Sequence, residues 1–230
     1  MAVRSDPAIF DPSRFDCWLF DMDNTLYPAD VDLFRHIDER MGAFIAAELS
    51  VDRTEARVIQ KDFFHRHGTT LRGLMDEHGV EPGRFLDFVH DIDMSALAHD
   101  ARVADNIARL PGRKLVFTNG DVDYAARVLK RLGLETHFDA VHDIHAMAYR
   151  PKPEAAVYDD LVTRFDIRPE RAVFVEDMAR NLAPAKRLGM TTVWIDNGSE
   201  SGNYEADMDM IDHVITDLGD WLSDIGKELA

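Results

Sequence analysis

Cysteine is almost absent from this chain. Its 230 residues hold one, Cys17. No intramolecular disulfide can form, and the apolar neighbours of Cys17 predict a buried thiol that behaves as a small hydrophobe. Long apolar runs are missing as well. No stretch approaches the roughly 20 residues that a membrane span needs. The N-terminal MAVRSDPAIFDPSRFD lacks the apolar segment of a secretory signal. These absences predict a soluble, cytoplasmic protein with no membrane partner. Positive charge is scarce too, with 26 Lys and Arg against 43 Asp and Glu and a formal net charge of -17. Basic residues cluster only in pairs such as Lys130-Arg131, so a nucleic acid polymer is not an expected partner. The acidity itself serves solubility, and an anionic ligand would need a site that supplies its own positive charge. His36, His65, His67 and His78 show no H-E-x-x-H or similar spacing. They are expected on polar helix surfaces rather than around zinc.

What is present is a core-forming hydrophobic content of 46% and a set of short apolar runs that end in polar residues. These are CWLFD (17–21), KLVFTNG (114–120), AVFVED (172–177), TTVWID (191–196) and HVIT (213–216). Such runs fit strands buried on both faces of a parallel sheet. Helical spacing lies between the later ones. Tyr124, Val128, Leu129 and Leu132 share one face, with Gly133 as a C-cap. Val157, Leu161, Val162 and Phe165 share another, with Pro153 near its first turn. NLAPAKRLG follows, ending on Gly189. Strands alternating with helices predict a doubly wound, Rossmann-like α/β fold. Residues 28–105 break the alternation. Leu33, Ile37, Met41, Phe44, Ile45 and Leu49 define one helix face. Ala56, Ile59, Phe63 and Phe64 define a second helix, opened by an Asp52/Glu55 capping box. LRGLMDEHG and GRFLDFVHD predict two shorter helices. The expected organisation is a core domain of residues 1–27 and 106–230 with an inserted α-helical cap domain of residues 28–105. Segment 198–212 reads as a loop.

Ligands of parallel α/β sheets bind at the carboxyl ends of the strands. Asp21, Asp23 and Thr25 follow the first strand, Thr118-Asn119-Gly120 the second, and Glu176-Asp177 a later one. RPKP places Lys152 at the start of a helix. Carboxylates gathered on one rim repel, and a hard divalent cation with oxygen ligands, Mg²⁺, resolves the repulsion. Lys152 and the backbone near Thr118 and Asn119 then suit a phosphoryl group. In this reading Asp21 is a nucleophile that forms an aspartyl-phosphate. Asp23 protonates the leaving alkoxide and later activates water. Asp177, with Glu176 beside it, anchors the metal, and Lys152 neutralises charge on the nucleophile and the phosphoryl.

The motifs DMDNTLYP, TNG, RPKP and VEDMARN, in that order, resemble the four motifs of the haloacid dehalogenase-like hydrolases. The likeness spans essentially the whole chain, and the helical insert resembles the C1 cap of that superfamily. It implies that the Asp23 carbonyl joins Asp21, Asp177 and Glu176 around Mg²⁺, and that Thr118 and Asn119 hold the phosphate. The dehalogenases generally lack an acid at the position of Asp23, so its presence favours a phosphatase. Glu176-Asp177 with Asn181 departs from the commoner Gly-Asp with a later Asp. DNTLYP, GTTLRGLMDEHG, VFTNG, RVLKRLGL, FVEDMARNL and AKRLGM resemble the pyrimidine 5'-nucleotidase branch. That implies a small phosphorylated metabolite as partner, a nucleoside monophosphate such as UMP or CMP. Another phosphate ester, a phosphomutase outcome, a 2-haloacid dehalogenase and a non-catalytic binding protein are the alternatives. Thr69, Thr70 and Arg72 are cap candidates for substrate contact, with capping of a helix by Thr69 or Thr70 as the competing reading. Phe63 and Phe64 are expected in the cap core, and Tyr27-Pro28 at the hinge. A monomer and a homodimer are both compatible with the sequence.

Overall fold

A computed structural model describes residues 10–199 and 201–229. Six strands form one parallel sheet in the order β3-β2-β1-β4-β5-β6. They are β1 (Cys17–Phe20), β2 (Arg113–Phe117), β3 (Ala140–His142), β4 (Ala172–Glu176), β5 (Thr191–Ile195) and β6 (His213–Ile215). The chain builds outward from β1 to β3, then returns to place β4 on the other side of β1. That reversal creates a switch point between β1 and β4, where a doubly wound sheet opens a crevice. The central strands β1 and β4 are buried at every residue, which is why their sequences are continuous apolar runs instead of alternating ones. Cys17 lies inside β1, fully buried. Burial pushes its thiol up to about 11, so it is unreactive at neutral pH. Strand β3 has no counterpart among the apolar runs. It is short, at the sheet edge, and only partly buried.

Four helices follow β1: α1 (Leu33–Leu49), α2 (Arg53–His67), α3 (Thr70–His78) and α4 (Pro82–His90). The apolar face of α1 buries Leu33, Ile37, Phe44 and Ile45. It packs against α2 and α4, and α2 packs against α3. Asp52 caps α2 by accepting from the Glu55 N–H, one half of the expected capping box. At the α2–α3 crossing, buried Gly73 lets the helices close on Phe63; a Cβ at Gly73 would lie 2.4 Å from the Phe63 ring. His36, His65 and His78 are exposed.

Helix α5 (Ala101–Arg109) packs on α9 (Leu218–Gly226), at the other end of the chain. The boundary expected at residue 105 therefore falls inside a helix, and the packing joins the whole of α5 to the sheet-bearing part. The remaining helices are α6 (Val122–Leu132), α7 (Ala155–Arg164) and α8 (Leu182–Leu188). Gly133 and Gly189 end α6 and α8 with φ of 72° and 100°, the left-handed conformation a glycine C-cap supplies. Among the described residues no helix is long and apolar enough to cross a membrane.

Gly73→Ala is expected to force Phe63 aside and cost about 1–3 kcal/mol of stability. A lower urea midpoint for the variant checks this; an unchanged midpoint would mean that the α2–α3 crossing is not tightly packed.

Candidate active site

Three strand ends meet at the switch point. Asp21 follows β1, and its N–H donates to the Val175 carbonyl of β4 at 2.9 Å. This fixes Asp21 beside Glu176, the last residue of β4, and its neighbour Asp177. All three carboxylates are buried, and an oxygen from each falls within 4.8 Å of the others. Lys152, 1% exposed, reaches in from the loop before α7. Its ammonium donates to Asp21 Oδ1 at 2.7 Å, Glu176 Oε2 at 2.7 Å and the Phe117 carbonyl of β2 at 2.8 Å. Three donors thus meet three acceptors, which a buried ammonium requires.

The electrostatics follow from the geometry. Burial, then the charge of Glu176, pushes the Asp21 carboxyl up to about 7 against the opposing pull of Lys152. Burial and the charges of Glu176 and Asp21 push Asp177 well above the ordinary carboxylate range. Burial alone would lower Lys152, but the charges of Asp21 and Glu176 and its hydrogen bonds to both raise it. One cation, paired with Asp21 and Glu176, stands among three buried carboxyl groups. The oxygen donor set and the uncompensated negative charge fit a hard divalent cation. Glu176 is the most committed of the three. Its Oε2 also accepts from Asn181 Nδ2 at 3.1 Å, and Oε1 accepts from the Met178 N–H at 3.1 Å.

Asp23 is held differently. Its Oδ1 accepts from both Tyr27 and Tyr124, each at 2.6 Å. Burial raises its pKa, although the two phenols act against the rise. Sequence reasoning assigned Tyr27 to the hinge and Tyr124 to an apolar helix face. The Tyr124 phenol was not legible there, because its partner lies 101 residues away; Tyr27 stands only four residues from Asp23, and its place in DMDNTLYP is the signal that could have found it. Tyr124 in turn stacks on His90 of α4, with centroids 4.1 Å apart and planes 7° from parallel. His90 Nδ1 pairs with Asp121 Oδ2 at 2.5 Å, and Asp121 caps α6 through the Tyr124 N–H.

Thr118 and Asn119 lie at the end of β2, where the sequence placed them, but both side chains have structural partners. Thr118 Oγ1 accepts from the Gly120 N–H at 3.0 Å. Asn119 Oδ1 accepts from the Lys152 N–H at 2.8 Å, and its Nδ2 faces the Lys152 carbonyl at 3.4 Å. Asn119 therefore positions the loop that carries Lys152.

The same rim opens into a cavity of about 200 Å³ that continues between α1, α2 and α4. Thr69 and Thr70 line it and Arg72 does not. Thr69 is the N-cap of α3, accepting from the Arg72 N–H at 3.2 Å, and Thr70 Oγ1 turns back to the Gln60 carbonyl at 3.4 Å. The Arg72 Nε instead donates to Asp76 at 2.9 Å, one turn along the same helix, where an i,i+4 pair forms naturally. Phe63 is cap core, but Phe64 faces the cavity. Arg180, which sequence reasoning passed over, lies over the Phe64 ring at 4.3 Å and donates to the Gly68 carbonyl at 3.0 Å. It ties the loop after β4 to the end of α2. No residue-type pattern in VEDMARN distinguishes that arginine from a solvated one.

Residues 15–189 match the haloacid dehalogenase-like hydrolase family. The chain belongs to that family. Hydrolases of this family generally use a divalent metal, in keeping with the buried acidic cluster. Among curated relatives, the glyceraldehyde 3-phosphate phosphatase of Methanopyrus kandleri is 26% identical over 229 residues, covering 92% of this chain and 97% of that protein. Phosphate metabolism protein 8 of Saccharomyces cerevisiae is 24% identical over 198 residues, covering 78% of this chain; the match spans 61% of the yeast protein's length. A phosphatase of the family from Thermococcus onnurineus superposes with a TM-score of 0.55 at 21% identity, covering 87% of this chain and 93% of that one. The L-2-haloacid dehalogenase of Xanthobacter autotrophicus superposes equally well, at 0.55 and 17% identity over 93% and 97% of the two chains. The backbone of this hydrolase is thus common to both chemistries.

The raised Asp21 carboxyl has a consequence for stability. The folded protein keeps a proton, up to about pH 7, that the unfolded chain releases near 3.8. Stability of the metal-free protein should therefore fall as pH rises from about 4 and level off above about 7. Thermal unfolding across that range in EDTA measures the trend, and a saturating divalent cation should flatten it. A metal-free protein that gains stability over the same interval would contradict the assignment.

Proposed function

We propose that this hydrolase is a Mg²⁺-dependent phosphomonoesterase acting through an aspartyl-phosphate on Asp21. One observation carries the choice of phosphate ester over halide: Asp23, a partly buried acid with a raised pKa, held by two phenols beside the nucleophile. An alkoxide leaving group needs a proton and a halide does not. The named phosphatases among the relatives support the same reading.

In the first step an Asp21 oxygen attacks phosphorus and the bond to the leaving oxygen breaks. Asp23 delivers its proton to that oxygen. In the second step Asp23, now a carboxylate, takes a proton from water as the water oxygen attacks phosphorus. The Asp21–phosphorus bond breaks and phosphate leaves. Proton transfers of this kind contribute roughly 10²–10⁴-fold. Lys152 holds one oxygen of Asp21 and keeps the nucleophile oriented. Asp177, less committed than Glu176, is the direct carboxylate ligand beside Asp21, and the Asp23 carbonyl completes the protein's share. Bound Mg²⁺ offsets the charge of the carboxylates and of the transferring phosphoryl. Thr118 and the backbone of Asn119 cradle the phosphoryl oxygens.

Helices α1–α4 act as a lid that excludes water and selects the leaving group. The cavity's lid wall carries Phe34, Ile37, Met41, Phe64 and Phe85. Such a wall suits a leaving group with an apolar face, which supports a pyrimidine nucleoside 5'-monophosphate. A smaller ester is the second reading, favoured by the near full-length likeness to a glyceraldehyde 3-phosphate phosphatase.

Phosphate release from UMP, CMP, AMP, phosphoglycolate and glyceraldehyde 3-phosphate, with Mg²⁺ and with EDTA, tests both levels. Release that requires Mg²⁺, led by UMP and CMP and absent in Asp21→Asn, is expected. EDTA-resistant halide release from a 2-haloacid would overturn the phosphatase, and a lead by the triose ester would replace the nucleotide. Tyr124→Phe removes one of the two hydrogen bonds that act against the raised Asp23 pKa. The part of the pH profile that Asp23 sets should move to higher pH, and turnover should fall on the order of tenfold. A superimposable pH profile would detach Tyr124 from Asp23.

A further inference from the structure

Above the acid, the structure buries a polar pair that the mechanism does not use. His90 is the last residue of α4 and is buried, as is Asp121 before α6. Asp121 spends one oxygen on each of two partners. Oδ1 accepts from the Tyr124 N–H at 2.7 Å, and Oδ2 faces His90 Nδ1 at 2.5 Å. Burial would raise Asp121, but the hydrogen bonds with His90 and the Tyr124 N–H hold it below the ordinary carboxylate range. It is therefore the acceptor, and Nδ1 is the donor. The contacts close on themselves. One carboxylate holds both the backbone of Tyr124 and the imidazole that lies flat on the Tyr124 ring. That ring is 1% exposed, and Gly120 approaches it closely: a Cβ there would lie 3.1 Å from Tyr124 Cδ1. The phenol so confined donates to Asp23 Oδ1. Tyr27 donates to the same oxygen, which leaves Oδ2 for the proton that a leaving oxygen needs. An apolar side chain would fill the space between α4 and α6 with no polar group to desolvate. Packing alone does not ask for a histidine and an aspartate here.

We infer that His90, braced by Asp121, is a positioning residue for proton delivery: it fixes the Tyr124 phenol and, through it, the direction of the Asp23 carboxyl. The inference rests on the phosphomonoesterase reading and deepens it. Reacting groups work when neighbours with locked conformations hold them to within about 0.5 Å. His90 comes from the helical layer, whereas Asp121, Tyr124 and Asp23 belong to the sheet-bearing part. The acid is therefore fully set only with α4 seated on the start of α6. What His90 serves is the leaving group's need of a proton. An alkoxide has that need. A nitrophenolate spreads its negative charge over the ring and leaves without one.

The test uses the full chain with Mg²⁺ and reads kcat/KM, which covers the steps up to breakage of the bond to the leaving oxygen. The probes are UMP, CMP and glyceraldehyde 3-phosphate, whose leaving groups are alkoxides, and p-nitrophenyl phosphate, whose leaving group is not. His90→Leu keeps bulk between the helices and removes the stacked ring and its N–H. It should lose about tenfold more on the alkoxide esters than on p-nitrophenyl phosphate, a share of the roughly 10²–10⁴-fold that a placed acid supplies. In a Tyr124→Phe background the same substitution should change that ratio less than about twofold, because residues acting as one unit are not additive. Asp121→Asn still caps α6 but offers His90 no ionised partner. It should reproduce the selective loss at about threefold. Equal losses on both kinds of ester, in either variant, would make the pair a packing feature and overturn the inference while the phosphatase stands. A His90→Leu effect undiminished in Tyr124→Phe would overturn it as well, by detaching His90 from the acid. No release from any ester by the wild-type chain would remove the phosphomonoesterase, and the inference with it.

Discussion

The fold depends on one buried ammonium. Lys152 links the ends of β1, β2 and β4 by donating to Asp21, the Phe117 carbonyl and Glu176. An unpaired charge at that depth would be prohibitive. Three acceptors at hydrogen-bond distance make the burial tolerable, and in return the loop before α7 is pinned to the sheet. Asn119 clasps the Lys152 backbone from the end of β2, so the loop is held by main chain and side chain together. With Asp21, Glu176 and Asp177 all buried, the centre still carries excess negative charge. A divalent cation bound at this place would join in holding the strand ends together, and ligand binding and stability would then share one set of oxygen atoms.

A second chain of contacts leads from the chemistry to the lid. Asp23 is held by Tyr124, Tyr124 stacks on His90, and His90 pairs with Asp121. His90 belongs to α4, whereas Tyr124 and Asp121 belong to the start of α6. The acid's environment therefore includes a residue from the helical layer above it. Arg180 makes the matching tie on the other side, from the loop after β4 to Phe64 and Gly68 at the end of α2. Between these ties lies the cavity. Its floor is charged and its far wall largely apolar, a division that suits the proposed phosphate ester.

Much of this was legible in the chain. The buried strands β1, β4 and β5 announce themselves as apolar runs because both their faces are covered. Asp21, Thr118 and Glu176-Asp177 stand at strand ends because parallel sheets present their ligands there. Helix α1 was legible from its period. Strand β3 was not, since an edge strand of three residues with partial burial carries too little apolar signal. The Arg72 pairing with Asp76, one helical turn away, was not legible, because sequence shows a charge near a glycine-bounded turn but not the direction of its side chain. Phe64 and Phe63 are adjacent on α2, yet only Phe63 is core. Adjacent helical residues point about 100° apart, and which of them meets a neighbour depends on where α3 crosses.

Local sequence determined which residues could do chemistry and on which elements they sit. Burial period, caps and strand-end polarity act over a few residues and need no knowledge of the rest. The tertiary structure decided which charge answers which. Lys152 and Asp21 are separated by 131 positions, and Tyr124 and Asp23 by 101. Nothing local specifies those pairings. They arise because the strand order brings β4 and β2 to either side of β1, and because a charge removed from water must find its partner wherever the fold places one.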